Sequence, residues 1–112
     1  MTEAFGPAKA CPTVTREETR AVVTPAGDIT ALTAAGLRSA LRDLLGDGAR
    51  EVTLDLERVR EIDGQGLGLL AAAHNSLLAR GGAFEAIRAS ADLLNLFWAL
   101  GLNQHFAITG KD

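Results

Sequence analysis

The chain has a single cysteine, Cys11, among 112 residues. It cannot form an intrachain disulfide, which suits a reducing cytosol. No apolar run approaches the roughly 20 residues that cross a bilayer, and the N-terminus lacks the basic-then-apolar layout of a signal peptide. These two absences predict a cytoplasmic protein with no direct membrane insertion. Positive charge is also short: the formal balance is -3, which argues against nucleic acid or an anionic membrane surface as partner. Lysine is nearly absent, with only Lys9 and Lys111, and with the abundant alanine this points to a GC-rich bacterial source. Internal repeats and low-complexity blocks are lacking.

What remains is the composition of an ordinary small globular domain, 47% hydrophobic and 22% charged. Residues 1–15, with Gly6, Pro7 and Pro12, read as a loose lead-in or an edge strand near its end, before a domain over 16–112. Arg20–Pro25 predicts a strand. A helix then starts at Asp28 or Thr30, either of which suits an N-cap. Leu37, Leu41, Leu44 and Leu45 form its apolar face, ending near Gly46. Val52, Leu54 and Leu56 alternate with Thr53 and Asp55, as a strand with one wet face does. A second helix carries Leu67, Leu70, His74, Leu77 and Leu78 and closes at Gly81-Gly82. Ala83–Ile87 predicts a strand, Ser90 caps a third helix with Leu93, Leu94, Phe97 and Leu100 inward, and Phe106–Ile108 predicts a last strand. Alternating strands and helices imply an α/β layer fold with a largely parallel sheet. Burial is predicted for Val52, Leu54, Leu56, Leu70, Leu77, Leu93 and Phe97.

The most informative stretch is Val52–Gly68, where a strand passes through Asp63-Gly64-Gln65-Gly66 into an apolar helix. Free backbone N–H groups at such a helix start can hold an anion or a phosphorylated side chain. Asp63 reads equally as a helix cap and as a partner contact. The glycines do not complete a dinucleotide fingerprint, because Leu69 stands where its third glycine belongs. They read instead as turn geometry and close helix–sheet packing, and a left-handed φ at Gly64 would exclude β-branched residues there. His74 reads as a core or rim residue, and His105 has no ligand-spaced carboxylate or cysteine nearby. No metal or cofactor is expected, and no nucleophile with a base in reach suggests an enzyme. Trp98 reads as packing or as part of a contact patch.

Four short motifs resemble a known family. Leu54-Asp55-Leu56, then Ile62-Asp63-x-x-Gly66-Leu67-Gly68-Leu69-Leu70, then Gly81-Gly82, then Leu100-Gly101-Leu102 resemble the STAS domain, which includes the bacterial anti-sigma factor antagonists. Gly27-Asp28-Ile29-Thr30 is similar to the family's Gly-acid-Leu-Asp turn, with Thr30 where an aspartate is common. The resemblance spans roughly residues 17–108. It implies a single domain with a mixed, largely parallel sheet of four to five strands and helices mainly on one face.

It also implies a function. Switchable relatives carry Asp-Ser-Ser-Gly or Asp-Ser/Thr-Ala-Gly at this turn, and a kinase phosphorylates a hydroxyl there. In this chain Gln65 stands at the usual acceptor position, Gly64 removes the preceding hydroxyl, and no Ser or Thr occurs from Leu54 to Asn75. The resemblance therefore implies a non-catalytic, partner-competent module whose turn is not phosphorylated. Its expected partner is an anti-sigma factor or serine kinase-like regulator, met through Asp28, Thr30, Asp63, Gly64, Gln65, Gly66 and Leu67. A homodimer is a further expectation. The alternative is a STAS accessory subunit of a membrane transport system, of the phospholipid ABC or anion-carrier kind.

Overall fold

The structure is a computed structural model and describes residues 12–111. Cys11 and the rest of the lead-in before Pro12 lie outside the described residues. Five strands form one sheet in the sequential order β1-β2-β3-β4-β5. They are β1 Thr13–Glu17, β2 Arg20–Thr24, β3 Glu51–Asp55, β4 Ala83–Ala89 and β5 Ala107–Gly110. β1 pairs antiparallel with β2, and all later neighbours are parallel. Three helices supply the crossovers: α1 Ala34–Gly46, α2 Gly64–Ala79 and α3 Ala91–Ala99. Since the strand order never reverses, right-handed crossovers leave every helix on one side.

The strand alternation builds the core directly. Val23, Leu54, Ala86 and Ile108 lie in register across four strands and are buried, as is the row Ala21, Val52 and Phe84. Leu37, Leu41 and Leu44 of α1, Leu70 and Leu77 of α2, and Leu93 and Phe97 of α3 close over them. Each such burial is worth about 1.5–3 kcal/mol relative to exposure. All seven residues predicted to be buried are buried. The other face of the sheet stays open and mixed: exposed Val22 lies in register with Thr53, Thr53 donates to Glu85 at 2.9 Å, and Arg20 pairs with Glu51 at 3.1 Å.

Several expectations are corrected. Neither Asp28 nor Thr30 caps α1. Its N-cap is Thr33, because the carbonyl of Thr30 takes the N–H groups of Thr33 and Ala34 at 3.0 and 2.8 Å and turns the chain first. Leu100 is not inward. It is the C-cap of α3 and 52% exposed, since left-handed Gly101 (φ 75°) diverts the chain and Leu102 packs on the core instead. Leu78, on the rim of α2 beside buried Leu77, is 62% exposed. β4 runs two residues beyond Ile87, and β5 runs to Gly110 rather than ending at Ile108. β1 is an edge strand that starts at Thr13 and straddles the expected boundary at 15–16.

Asp55 departs in the most instructive way. It occupies the open face, as its alternation requires, yet is only 4% exposed. β4 shifts register between Ala86 and Ala89, and Arg88 there has a left-handed φ of 56°. The shift lets Arg88 cover Asp55: its Nε donates to Oδ1 at 3.1 Å and its Nη2 to Oδ2. Nη2 also reaches Glu57 at 3.2 Å. The Arg88 guanidinium holds the Asp55 carboxyl below its usual range, against the opposing effect of burial.

Candidate functional site

The site forms where two segments leave the carboxyl ends of β2 and β3. After β2 the chain passes Asp28 and turns through 30–33 into α1. After β3 it runs through 56–62 into α2. A short parallel bridge joins Ile29 to Ile62, with Ile29 N–H donating to Glu61 O at 3.0 Å and Asp63 N–H to Ile29 O at 3.1 Å. Both isoleucines are buried, which anchors the two loops from beneath.

Two carboxylates then tie the loops reciprocally. Asp28 Oδ1 accepts the N–H groups of Arg60 and Glu61 at 2.8 and 3.1 Å. Asp63 Oδ1 accepts from Gly66 at 3.0 Å, capping α2, and its Oδ2 accepts from Ala31 at 2.9 Å. These hydrogen bonds, Gly66 first and Ala31 second, pull the Asp63 carboxyl below its usual value of 3.8. The helix-cap reading of Asp63 holds, and its second oxygen also serves the opposite turn.

The 28–33 turn also carries hydrogen bonds of its own. Thr33 Oγ1 accepts from Thr30 N–H at 3.0 Å and donates to Asp28 O at 2.7 Å. Leu32 N–H donates to Thr30 Oγ1 at 3.2 Å. Thr30 therefore holds the turn from within.

Glycine is required at one position of the α2 start. A Cβ on Gly66 would lie 2.7 Å from both the Ile29 carbonyl oxygen and Ile62 Cγ2. Gly66 thus permits the close approach of helix and loop. Gly64 differs from expectation: its φ is not left-handed, and a Cβ there would meet nothing within 4 Å. Gly64 and Gln65 are exposed and Leu67 is half-buried. The structure therefore brings Asp28, Thr30, Asp63, Gly64, Gln65, Gly66 and Leu67 onto one rim, with Asp28, Thr30, Asp63 and Gly66 holding its framework.

Ala31 and Leu32, which the sequence places within the first helix, lie instead in the turn before it. A signal was present for Leu32. It lies nine residues before Leu41, about half a turn out of phase with the apolar stripe at ~100° per residue, so it points away from the core.

Among the described residues no group of three or more His, Cys, Asp or Glu side chains converges on a metal position. His74 is a rim residue with its ring 5.5 Å from that of Phe106. Among the described residues no helix is long and apolar enough to cross a membrane. The rim is a hydrogen-bonded surface that carries the Asp28 and Asp63 carboxylates and displays Gly64 and Gln65.

A family model described as Mlab, STAS domain, matches residues 13–109. A Thermotoga maritima protein assigned as an anti-sigma factor antagonist superposes with TM-score 0.82 at 18% identity, covering 88% of this chain and 85% of its own. An anti-sigma factor antagonist from Mycobacterium paratuberculosis gives 0.77 at 24%, over 88% and 83%. A sulfate transporter family protein from Wolinella succinogenes gives 0.69 at 17%, over 85% and 80%. No curated protein sequence matches at a significant level. At these identities the likeness to solved structures is one of fold, and the fold is that of the anti-sigma factor antagonists. Since the family model spans all but three of the residues from Pro12 to Lys111, the chain belongs to the STAS domain family.

Proposed function

We propose that this chain is a cytoplasmic bacterial regulator of the anti-sigma factor antagonist kind. It binds an anti-sigma factor or serine kinase-like protein through the joined rim of Asp28–Thr30 and Asp63–Leu67, performs no catalysis, and is not switched by phosphorylation at Gln65. The observation that carries this reading is the Asp63 carboxylate, whose 2.9 Å bond to Ala31 N–H makes one surface of two turns, with Gln65 displayed on it. Glutamine has no hydroxyl to accept a phosphoryl group. A phosphate there would add about -1.5 to -2 charge beside Asp63.

The test uses each kinase-type anti-sigma factor of the source genome, purified singly, and calorimetric binding to the wild type and Gln65→Asp. A carboxylate in the first turn of α2 favours the helix by about 0.3–1 kcal/mol, so binding lost by Gln65→Asp does not come from unfolding. Wild-type binding, weakened at least tenfold in Gln65→Asp, together with no phosphopeptide over residues 54–75 after incubation with ATP, is the expected result. Equal affinity for a folded Gln65→Asp protein would place the interface elsewhere.

A second reading has its own support. The matching family model is described as Mlab, and a sulfate transporter family protein shares the fold. Under it the chain is a STAS accessory subunit of a membrane transport system. Co-purification with a permease or its ATPase, in place of a kinase-like regulator, would carry that reading.

A further inference from the structure

The 56–62 loop leads into the second segment of the rim, and its two ends are held by different carboxylates. At the far end Asp28 Oδ1 accepts the N–H groups of Arg60 and Glu61 at 2.8 and 3.1 Å, next to the Ile29–Ile62 bridge. At the near end Asp55 Oδ1 accepts the N–H of Glu57 at 3.1 Å, while Leu56 N–H donates to Ile87 O at 2.9 Å. Between them Leu56 and Val59 are buried, and Val59 N–H closes a turn on Leu56 O at 3.0 Å. The path of the loop therefore depends on where the Asp55 carboxylate points.

Arg88 fixes that direction. Its Nε and Nη2 each take one oxygen of the carboxylate, a two-point grip that sets the carboxylate plane. The oxygen that receives Nε is the same Oδ1 that accepts Glu57 N–H. Nη2 also reaches the Glu57 carboxylate at 3.2 Å. The guanidinium thus holds Glu57 directly through its side chain and, by way of Asp55, through its backbone. It does so from a left-handed φ of 56°, beside a register shift in β4. Such a conformation is disfavoured for a residue with a Cβ and persists only where its surroundings impose it. The Arg20–Glu51 pair at the opposite end of the strands is the contrast: both side chains are more than half exposed, and such a pair fixes little.

We infer that Arg88, which lies outside the rim, is a positioning residue for it. Acting through Asp55 and Glu57, it sets the path of the 56–62 loop and so the placement of Arg60, Glu61 and Asp63 against the Asp28 turn. This deepens the proposed function and rests on it for the partner alone.

The test separates positioning from stability. Backbone amide NMR signals and hydrogen exchange are recorded for the wild type, Arg88→Ala, Asp55→Ala/Arg88→Ala, Asp28→Ala and, as a control ion pair, Arg20→Ala. Melting curves and calorimetric binding to the same purified anti-sigma factors run in parallel. The double variant no longer strands a buried carboxylate, so it regains melting temperature that Arg88→Ala loses. It still lacks the acceptor for Glu57 N–H. Arg88→Ala and the double variant should therefore both shift the Arg60 and Glu61 amide signals, as Asp28→Ala does, and speed their exchange relative to the sheet amides. Both should bind roughly fivefold more weakly than the wild type, with Arg20→Ala matching the wild type. Amide signals and affinity that recover with the melting temperature in the double variant would overturn the inference, by making Arg88 purely structural. Unmoved Arg60 and Glu61 signals in Arg88→Ala, or wild-type affinity in both Arg88 variants, would overturn it too. A wild type that binds none of the probes would overturn the proposed function, and the amide signals would still decide whether Arg88 positions the loop.

Discussion

The Asp63 carboxylate accepts the backbone N–H of Ala31 at 2.9 Å across 32 residues of sequence, while its other oxygen caps its own helix through Gly66. One side chain thus fixes the start of α2 and the turn before α1. Asp28 answers it by holding Arg60 and Glu61 from the other side.

This arrangement predicts a pH signature. The Asp63 carboxyl titrates below its usual 3.8 in the folded chain. Its stabilising contribution is therefore fully present above the unfolded value and is lost as pH falls through the lower folded one. Asp63→Asn should be less stable than the wild type at pH 7, and the gap should shrink on acidification below about 4. Urea unfolding at pH 7 and pH 3 measures both. A gap of constant size would mean that the carboxylate charge plays no part.

The glycines of α2 separate into two kinds. Gly66→Ala forces a methyl group against the Ile29 carbonyl and Ile62, and should cost about 1–3 kcal/mol as overpacking does. Gly68→Ala faces open space in the body of the helix and should stabilise by about 0.5–1 kcal/mol. Gly64→Ala, at an ordinary φ with open space around it, should be tolerated. Denaturant midpoints rank the three, and a Gly66→Ala protein as stable as the wild type would refute the close approach.

Arg88 and Asp55 form a latch across the ends of β4 and β3. Arg88→Ala strands a nearly buried carboxylate and should lower the melting temperature more than the double variant Asp55→Ala/Arg88→Ala does. Arg88→Gly loses the same ion pair but suits the left-handed φ of 56°, so it should melt above Arg88→Ala. Melting of all three variants with the wild type would show that neither the pair nor the backbone conformation contributes.

Much of the fold was legible because its signals are local. Val52, Leu54 and Leu56 announce a one-sided strand by alternation alone. Leu37, Leu41 and Leu44 announce a helix by their spacing, and Ser90 marks the α3 start, accepting Leu93 N–H at 3.2 Å. The STAS resemblance was legible in Asp63, Gly66, Gly81 and Gly101 for a related reason: a cap, a close backbone approach and left-handed turns restrict residue choice at the position itself.

The framework of the site was not legible in the same way. Asp28 and Asp63 bind backbone N–H groups, which every residue but proline carries, so no sequence pattern names Arg60, Glu61 or Ala31 as their partners. Arg88 covers Asp55 only because β4 changes register, and a left-handed arginine has no compositional mark. The order of residues determined which faces are apolar and therefore the layers of this domain. Only the tertiary structure decided that two turns 32 residues apart share one rim, because that depends on where the sheet and helices deliver the backbone.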